Sequence, residues 1–192
     1  MILGLAKRLC EADKFTKQHH YHGWAPMLLL GTDLRGKILG IVGAGRIGAS
    51  LMRHASLGFG MKIIYSDPNR NIEAEKKYGA KRVKFEELLK KADFVSLHVP
   101  LLPSTRHLMN KRAFKLMKKS AFLVNTSRGP IVSEKDLLDA LYKKEIAGAG
   151  LDVFECEPKI DCDLTDRESL NKLPNVILTP HIASATKEAR DE

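Results

Sequence analysis

Two kinds of hydrophobic pattern alternate along the chain. Short unbroken apolar runs at 38–42, 62–66, 92–100, 121–126, 147–154 and 176–180 read as buried strands, being too short for helices and bounded by glycine, proline or polar clusters. Between them apolar residues recur at helical spacing. Ile47, Leu51 and Ala55 mark one apolar face, residues 72–78 a short helix ended by Gly79, and 86–91 another. Asn110 caps a helix carrying Ala113, Phe114, Leu116 and Met117. Ser133 and Asp136 form a capping box for a helix over 134–144, and a helical turn is expected near 168–172. Strands alternating with helices predict a parallel sheet covered on both faces, the Rossmann doubly wound α/β class, in a single domain spanning 1–192. Within it, 1–17 reads as a leading helix on Ile2, Leu5, Ala6, Leu9 and Ala12. Residues 18–35 read as a contact loop, 36–181 as the nucleotide-binding core, and 182–192 as the start of a further helix.

The first strand runs into Gly43-Ala44-Gly45-Arg46-Ile47-Gly48, a G-x-G-x-x-G turn. The first glycine permits the tight turn, the second lets backbone approach a pyrophosphate, and the third lets helix and strand pack closely. The helix then offers its unpaired N–H groups to the anion. Asp67 ends the second strand about 20 residues later, where a ribose-binding acid is expected. A carboxylate there accepts from a 2′-hydroxyl and repels a 2′-phosphate, so NAD is favoured over NADP. Arg70 is near enough in sequence to blur that choice, or is an exposed loop cation.

Composition narrows the alternatives. A chain of 192 residues with 44% hydrophobic residues can bury a real core. The net charge of +9 raises nucleic acid as a partner, but the 32 basic residues are scattered among 23 acids, with no basic block interleaved with aromatics. No nucleic acid and no membrane partner is expected, since no apolar run approaches spanning length. Cys10, Cys156 and Cys162 are an odd number without C-x-x-C spacing and read as free thiols of a cytoplasmic protein. His19, His20 and His22 lack the carboxylate or cysteine that would complete a metal site, so none is expected. The aromatic and apolar residues from Trp24 to Leu30 read as a surface covered by another subunit or domain.

Polar residues gather where the strands end. In a doubly wound sheet Asp67, Val99, Thr126, Asp152 and His181 all fall on the carboxyl rim, with Arg128 and Glu157 just beyond two strands. An arginine, a carboxylate and a histidine beside a dinucleotide suit hydride transfer at a carbonyl: the cation orients an anionic substrate and the imidazolium protonates the developing alkoxide. On spacing alone, Arg128 as a structural ion pair and His181 as a cap remain equally open.

These motifs, with Gly40 to Gly48, His98-Val99-Pro100, Asn125 to Gly129, Gly150 to Glu155, Glu157-Pro158 and Pro180 to Thr186, carry a resemblance that covers nearly the whole chain. It resembles the NAD-binding domain of the D-isomer-specific 2-hydroxyacid dehydrogenases, and is most similar to their glyoxylate/hydroxypyruvate reductase branch. The resemblance implies that Arg128 grips the substrate, His181 is the general acid/base, and Glu157 hydrogen-bonds His181 and favours its charged form. It further implies that Asp152 binds the nicotinamide carboxamide, that Arg46 and Ile47 meet the pyrophosphate, and that Val99, Pro100, Thr105, Thr126, Ser127 and Ser184 line the cofactor. Glu157 argues against a formate dehydrogenase. The substrate implied is a small 2-keto or 2-hydroxy acid. The family's second, substrate-binding domain is absent, so the isolated piece is expected to be a poor catalyst. Its cofactor domains pair into homodimers, which accounts for the apolar segment around Trp24. A different reading is an NAD-sensing interaction module, since C-terminal-binding corepressors resemble the same dehydrogenases.

Overall fold

The computed structural model describes residues 1–157 and 165–191. Two short helices, α1 (Ile2–Ala6) and α2 (Leu9–Lys17), precede strand β1 (Ile38–Val42) and helix α3 (Arg46–Arg53). The next units are β2 (Lys62–Ser66), α4 (Ile72–Tyr78), β3 (Lys81–Arg82) and α5 (Phe85–Lys91). They are followed by β4 (Phe94–Leu97), α6 (Lys111–Leu116), β5 (Phe122–Asn125) and α7 (Glu134–Tyr142), and then by β6 (Gly148–Leu151), α8 (Thr165–Asn171) and β7 (Val176–Leu178). All pairings are parallel and the sheet order is β3-β2-β1-β4-β5-β6-β7. The direction of winding reverses between β1 and β4, where open α/β sheets leave a crevice outside the carboxyl ends of the strands.

Each face of the sheet has its own core. Leu88, Leu89, Phe114, Leu137 and Leu141 from α5, α6 and α7 pack on one side. Ala6, Met52, Ala55 and Ala74 pack with Ile41, Ile63 and Tyr65 on the other. A fully buried leucine such as Leu88 contributes roughly 1.5–3 kcal/mol.

Several expectations need correction. The leading helix is broken, because Arg8 takes a left-handed conformation (φ 52°) between α1 and α2. The buried face of α3 and the π-helical turn that follows it, His54–Gly58, is Gly48, Met52 and Ala55; Ile47 points outward and is 72% exposed. The small residues of β6 make room for protein, not for cofactor. A Cβ on Gly150 would touch Leu5 of α1, and one on Gly148 would lie 2.4 Å from the Asn175 carbonyl oxygen. The capping box is half made: Ser133 Oγ accepts from Asp136 N, but the Asp136 carboxylate turns away to accept from Lys111 N at the start of α6. Residues 182–191 form turns, not the start of a helix. Cys156 is disulfide-bonded where a free thiol is expected, while Cys10 is free and exposed. Cys162 lies outside the described residues.

Candidate active site

The glycine turn sits at the reversal point and is held on both sides. Gly43 has φ 95°, and a Cβ there would lie 2.6 Å from the His98 carbonyl oxygen, so the turn packs directly on the end of β4. A Cβ on Gly48 would fall 2.1 Å from the Gly43 carbonyl oxygen, which keeps α3 tight on the strand. Gly45 is different. It caps α3 in an extended conformation without a side-chain cap, and a Cβ there would meet nothing within 4 Å. The backbone at the positive end of this helix is therefore open to a ligand, and an anion such as a pyrophosphate fits that cradle.

Two clefts flank the turn. One, of about 1060 Å³, is walled by Gly45, Arg46, Ile47, Thr126, Asp152 and Ala183 among others. The second, of about 980 Å³, is walled by Ser66, Asp67, Arg70, Val99 and Thr105 among others. The expected cofactor residues thus divide between a cleft over β5–β6 and a cleft over β2. Pro100 and Ser184 are exposed outside both. Ser127 spends its hydroxyl on the Leu97 carbonyl at 2.6 Å, tying the end of β5 to β4. Asp67 braces the glycine turn: Oδ2 accepts from Ala44 N at 2.8 Å and Oδ1 from Asn69 N at 2.8 Å. Each oxygen keeps a lone pair for a ribose hydroxyl.

His181, Glu157 and Arg128 extend from loops on the same rim. His181 Nδ1 lies 2.9 Å from Glu157 Oε2, bringing together residues from the ends of β6 and β7. His181 is held in a left-handed conformation (φ 55°), a constrained geometry for a non-glycine residue. Asp152 supports it from below. This carboxylate is 1% exposed and accepts from Thr179 Oγ1 at 2.5 Å, Ile182 N at 2.9 Å and Ala183 N at 2.7 Å, clamping the loop on either side of His181. Burial pushes its carboxyl up, but those hydrogen bonds and nearby His181 outweigh burial and hold it below the usual range.

Arg128 is exposed, with Nη1 donating to the Ser127 carbonyl at 2.6 Å, while the His181 ring pairs with Glu157. Its loop is seated on the Glu157 loop. A Cβ on Gly129 would lie 1.7 Å from the Phe154 carbonyl oxygen, so only glycine fits. Sequence reasoning missed what locks these loops together. Glu155 Oε2 accepts from Glu134 N at 2.8 Å, Glu134 Oε1 accepts from Glu155 N at 2.7 Å, and Glu155 Oε1 meets His107 Nε2 at 2.5 Å. Glu134 is legible only as the first residue of the helix that Ser133 and Asp136 announce, and its partner across the sheet rim is not. The sequence marks His98 only as part of the His98-Val99-Pro100 motif. This histidine lies in the wall of the larger cleft, hydrogen-bonded to Ser96 Oγ at 2.9 Å, and burial draws its pKa down to about 4, leaving it neutral.

Comparison with known proteins follows the same outline. The family model described as D-isomer specific 2-hydroxyacid dehydrogenase, NAD binding domain, matches residues 1–183. A glyoxylate reductase of Thermococcus litoralis is 51% identical over the whole chain, which spans 57% of that protein. Among solved structures, D-lactate dehydrogenase with NAD+ from Lactobacillus jensenii aligns at TM-score 0.85 and 34% identity, over 98% of this chain and 58% of the other. A glyoxylate reductase from Paecilomyes thermophila aligns at TM-score 0.85 and 37% identity, over 99% of this chain and 55% of the other. The chain spans little more than half the length of each of these relatives.

Proposed function

Since the chain belongs to the D-isomer-specific 2-hydroxyacid dehydrogenases, of which it is the NAD-binding domain, we propose that it serves an NADH-dependent reductase of a small 2-keto acid, with glyoxylate or hydroxypyruvate as substrate. The bound nicotinamide supplies the hydride. The observation that carries the rest is the contact between His181 Nδ1 and Glu157 Oε2 at 2.9 Å. With Nδ1–H donated to a carboxylate, Nε2 is left to carry the proton that the carbonyl oxygen takes up on reduction. Arg128 presents a planar guanidinium from the neighbouring loop, suited to a bidentate grip on a carboxylate.

The remaining assignments belong to the same reading. Gly43, Gly45, Arg46, Ile47 and Gly48 hold the pyrophosphate. Asp67 takes the ribose, Val99, Pro100 and Thr105 lie along the adenosine side, and Thr126, Ser127, Asp152 and Ser184 lie toward the nicotinamide. The segment around Trp24, which is 84% exposed, pairs with the same segment of a second copy. Sedimentation of the chain with and without Trp24→Ser tests this pairing, and a monomeric wild type would refute it. Among the described residues no helix is long and apolar enough to cross a membrane. Placement in the cytoplasm is tested by cell fractionation combined with thiol trapping of Cys156.

The test of function uses the full-length parent protein. Glyoxylate-dependent NADH oxidation, lost in His181→Ala while NADH binding persists, is the expected result. Tight NADH binding without turnover of any 2-keto acid would replace the reductase with a sensor.

A further inference from the structure

An arginine beside the ribose acid of a dinucleotide site is the usual means of accepting a 2′-phosphate. Two stand here: Arg70 and Arg82 wall the same cleft as Asp67. Neither guanidinium is loose. Arg82 donates to the carbonyl oxygens of Asp67 and Pro68, at 3.0 and 2.7 Å. Arg70 donates through Nη2 and Nε to Glu75, at 2.5 and 3.3 Å.

The anchor in the second pair is the acid. The Glu75 side chain is 17% exposed against 62% for Arg70, and it is fixed from beneath by the hydroxyl of the fully buried Tyr65, which donates to Oε1 at 2.6 Å. That hydroxyl accepts from Asn71 N at 2.8 Å, and Asn71 Nδ2 donates to the Ala44 carbonyl at 2.8 Å. The chain of contacts thus ends in the glycine turn, so Glu75 cannot drift with its partner. The arginine beside it, followed by the tyrosine hydroxyl, holds the Glu75 carboxyl below its ordinary range.

We propose that Glu75 is a specificity-determining residue that positions Arg70 away from the ribose site, so that discrimination against NADPH is set by Asp67 and Glu75 together. The inference rests on the reading that Asp67 takes the ribose. Removing Asp67 alone leaves a 2′-phosphate facing an arginine whose charge is already matched by Glu75. Removing both carboxylates frees a guanidinium a few residues from the ribose acid, able to form charge-assisted bonds to phosphate.

The experiment is a titration of this chain with NADH and with NADPH, comparing the ratio of the two dissociation constants. A variant that merely damages the fold weakens both nucleotides and leaves the ratio alone. Going from Asp67→Asn to Asp67→Asn with Glu75→Gln, the ratio should move toward NADPH by about tenfold, the size of one charge-assisted hydrogen bond. Adding Arg70→Ala should abolish the gain, and raising the salt concentration should shrink it. An unchanged ratio in the double variant overturns the inference. A second measurement uses Arg70→Ala on Asp67→Asn alone, a change at an exposed side chain. The ratio should stay where it was, and a further shift away from NADPH would show Arg70 already reaching the phosphate, which also overturns it. If the wild-type chain binds neither nucleotide, the reading of the cleft fails and the inference falls with it. NADH binding with an unmoved ratio sinks the inference alone.

Discussion

Replacing Asp152 with alanine should loosen the loop that carries His181 and lower the stability of the whole chain. The carboxylate accepts three hydrogen bonds, from Thr179 Oγ1, Ile182 N and Ala183 N. Bonds to a charged acceptor are worth about 1.5–3 kcal/mol each, but the donors lie on a loop that can turn to water, so simple addition overstates the loss. A net cost of about 2–5 kcal/mol is expected, a large part of the 5–15 kcal/mol typical of a domain. For a chain of this size that corresponds to a fall in melting temperature on the order of 10 °C. Asp152→Asn should lie between, since it retains one acceptor but turns an N–H toward another N–H. The sign of the pH effect follows from the depressed carboxyl: its contribution is present above the unfolded value near 3.9 and disappears as pH falls through the lower folded value. The gap between wild type and Asp152→Asn should therefore be widest near neutrality and close in acid. Thermal melts across that range provide the assay. A melting temperature for Asp152→Ala within a degree or so of wild type, or a gap that does not change with pH, would refute the clamp.

Other outcomes follow from the same rim. Gly129→Ala forces a methyl group against the Phe154 carbonyl, so it should destabilise by about 1–3 kcal/mol in urea melts. In the full-length parent it should reduce turnover more than NADH affinity. Glu155→Ala removes the cap from Glu134 N and should cost about 1–2 kcal/mol, with Glu155→Gln recovering much of it; equal losses in the two would argue against the hydrogen-bonding role. Because His98 is neutral when folded, with its pKa near 4 against about 6.5 unfolded, the unfolded chain binds more protons between those values. Stability should fall by up to roughly 3 kcal/mol as pH drops from about 6.5 to 4, and His98→Asn should flatten that slope in denaturant midpoints.

The architecture was legible because short unbroken apolar runs and helix caps are local signals. β1 and β2 have the boundaries their runs predict, and Gly79 ends α4 in the left-handed conformation expected of it. What escaped was set by distant partners or by elements too short to show a period. β3 is two residues of edge strand, Lys81 and Arg82, with no pattern to read. The break at Arg8 has no glycine or proline to announce it. Of the helically spaced Ile47, Leu51 and Ala55, Ala55 is buried and Leu51 packs beside it, but Ile47 faces out because Gly48 meets the backbone of the turn. At the site, spacing brought Glu157 and His181 to one rim. The burial of Asp152 under their loop and the Glu134–Glu155 exchange join positions far apart in sequence, and only the folded sheet reveals them.

All strand pairings in this sheet are parallel, so consecutive strands are linked by crossovers and not by hairpins. Crossovers close long loops before any contact rewards them, which makes the folding nucleus slow to form. The loops that meet at the rim share no short-range register of their own, so the dinucleotide seat matures only once distant strands have aligned. A nascent chain released before that alignment would expose β1, the most interior of its early strands, as an unpaired template. Chaperone demand during synthesis, not equilibrium stability, is therefore where this topology should be most vulnerable.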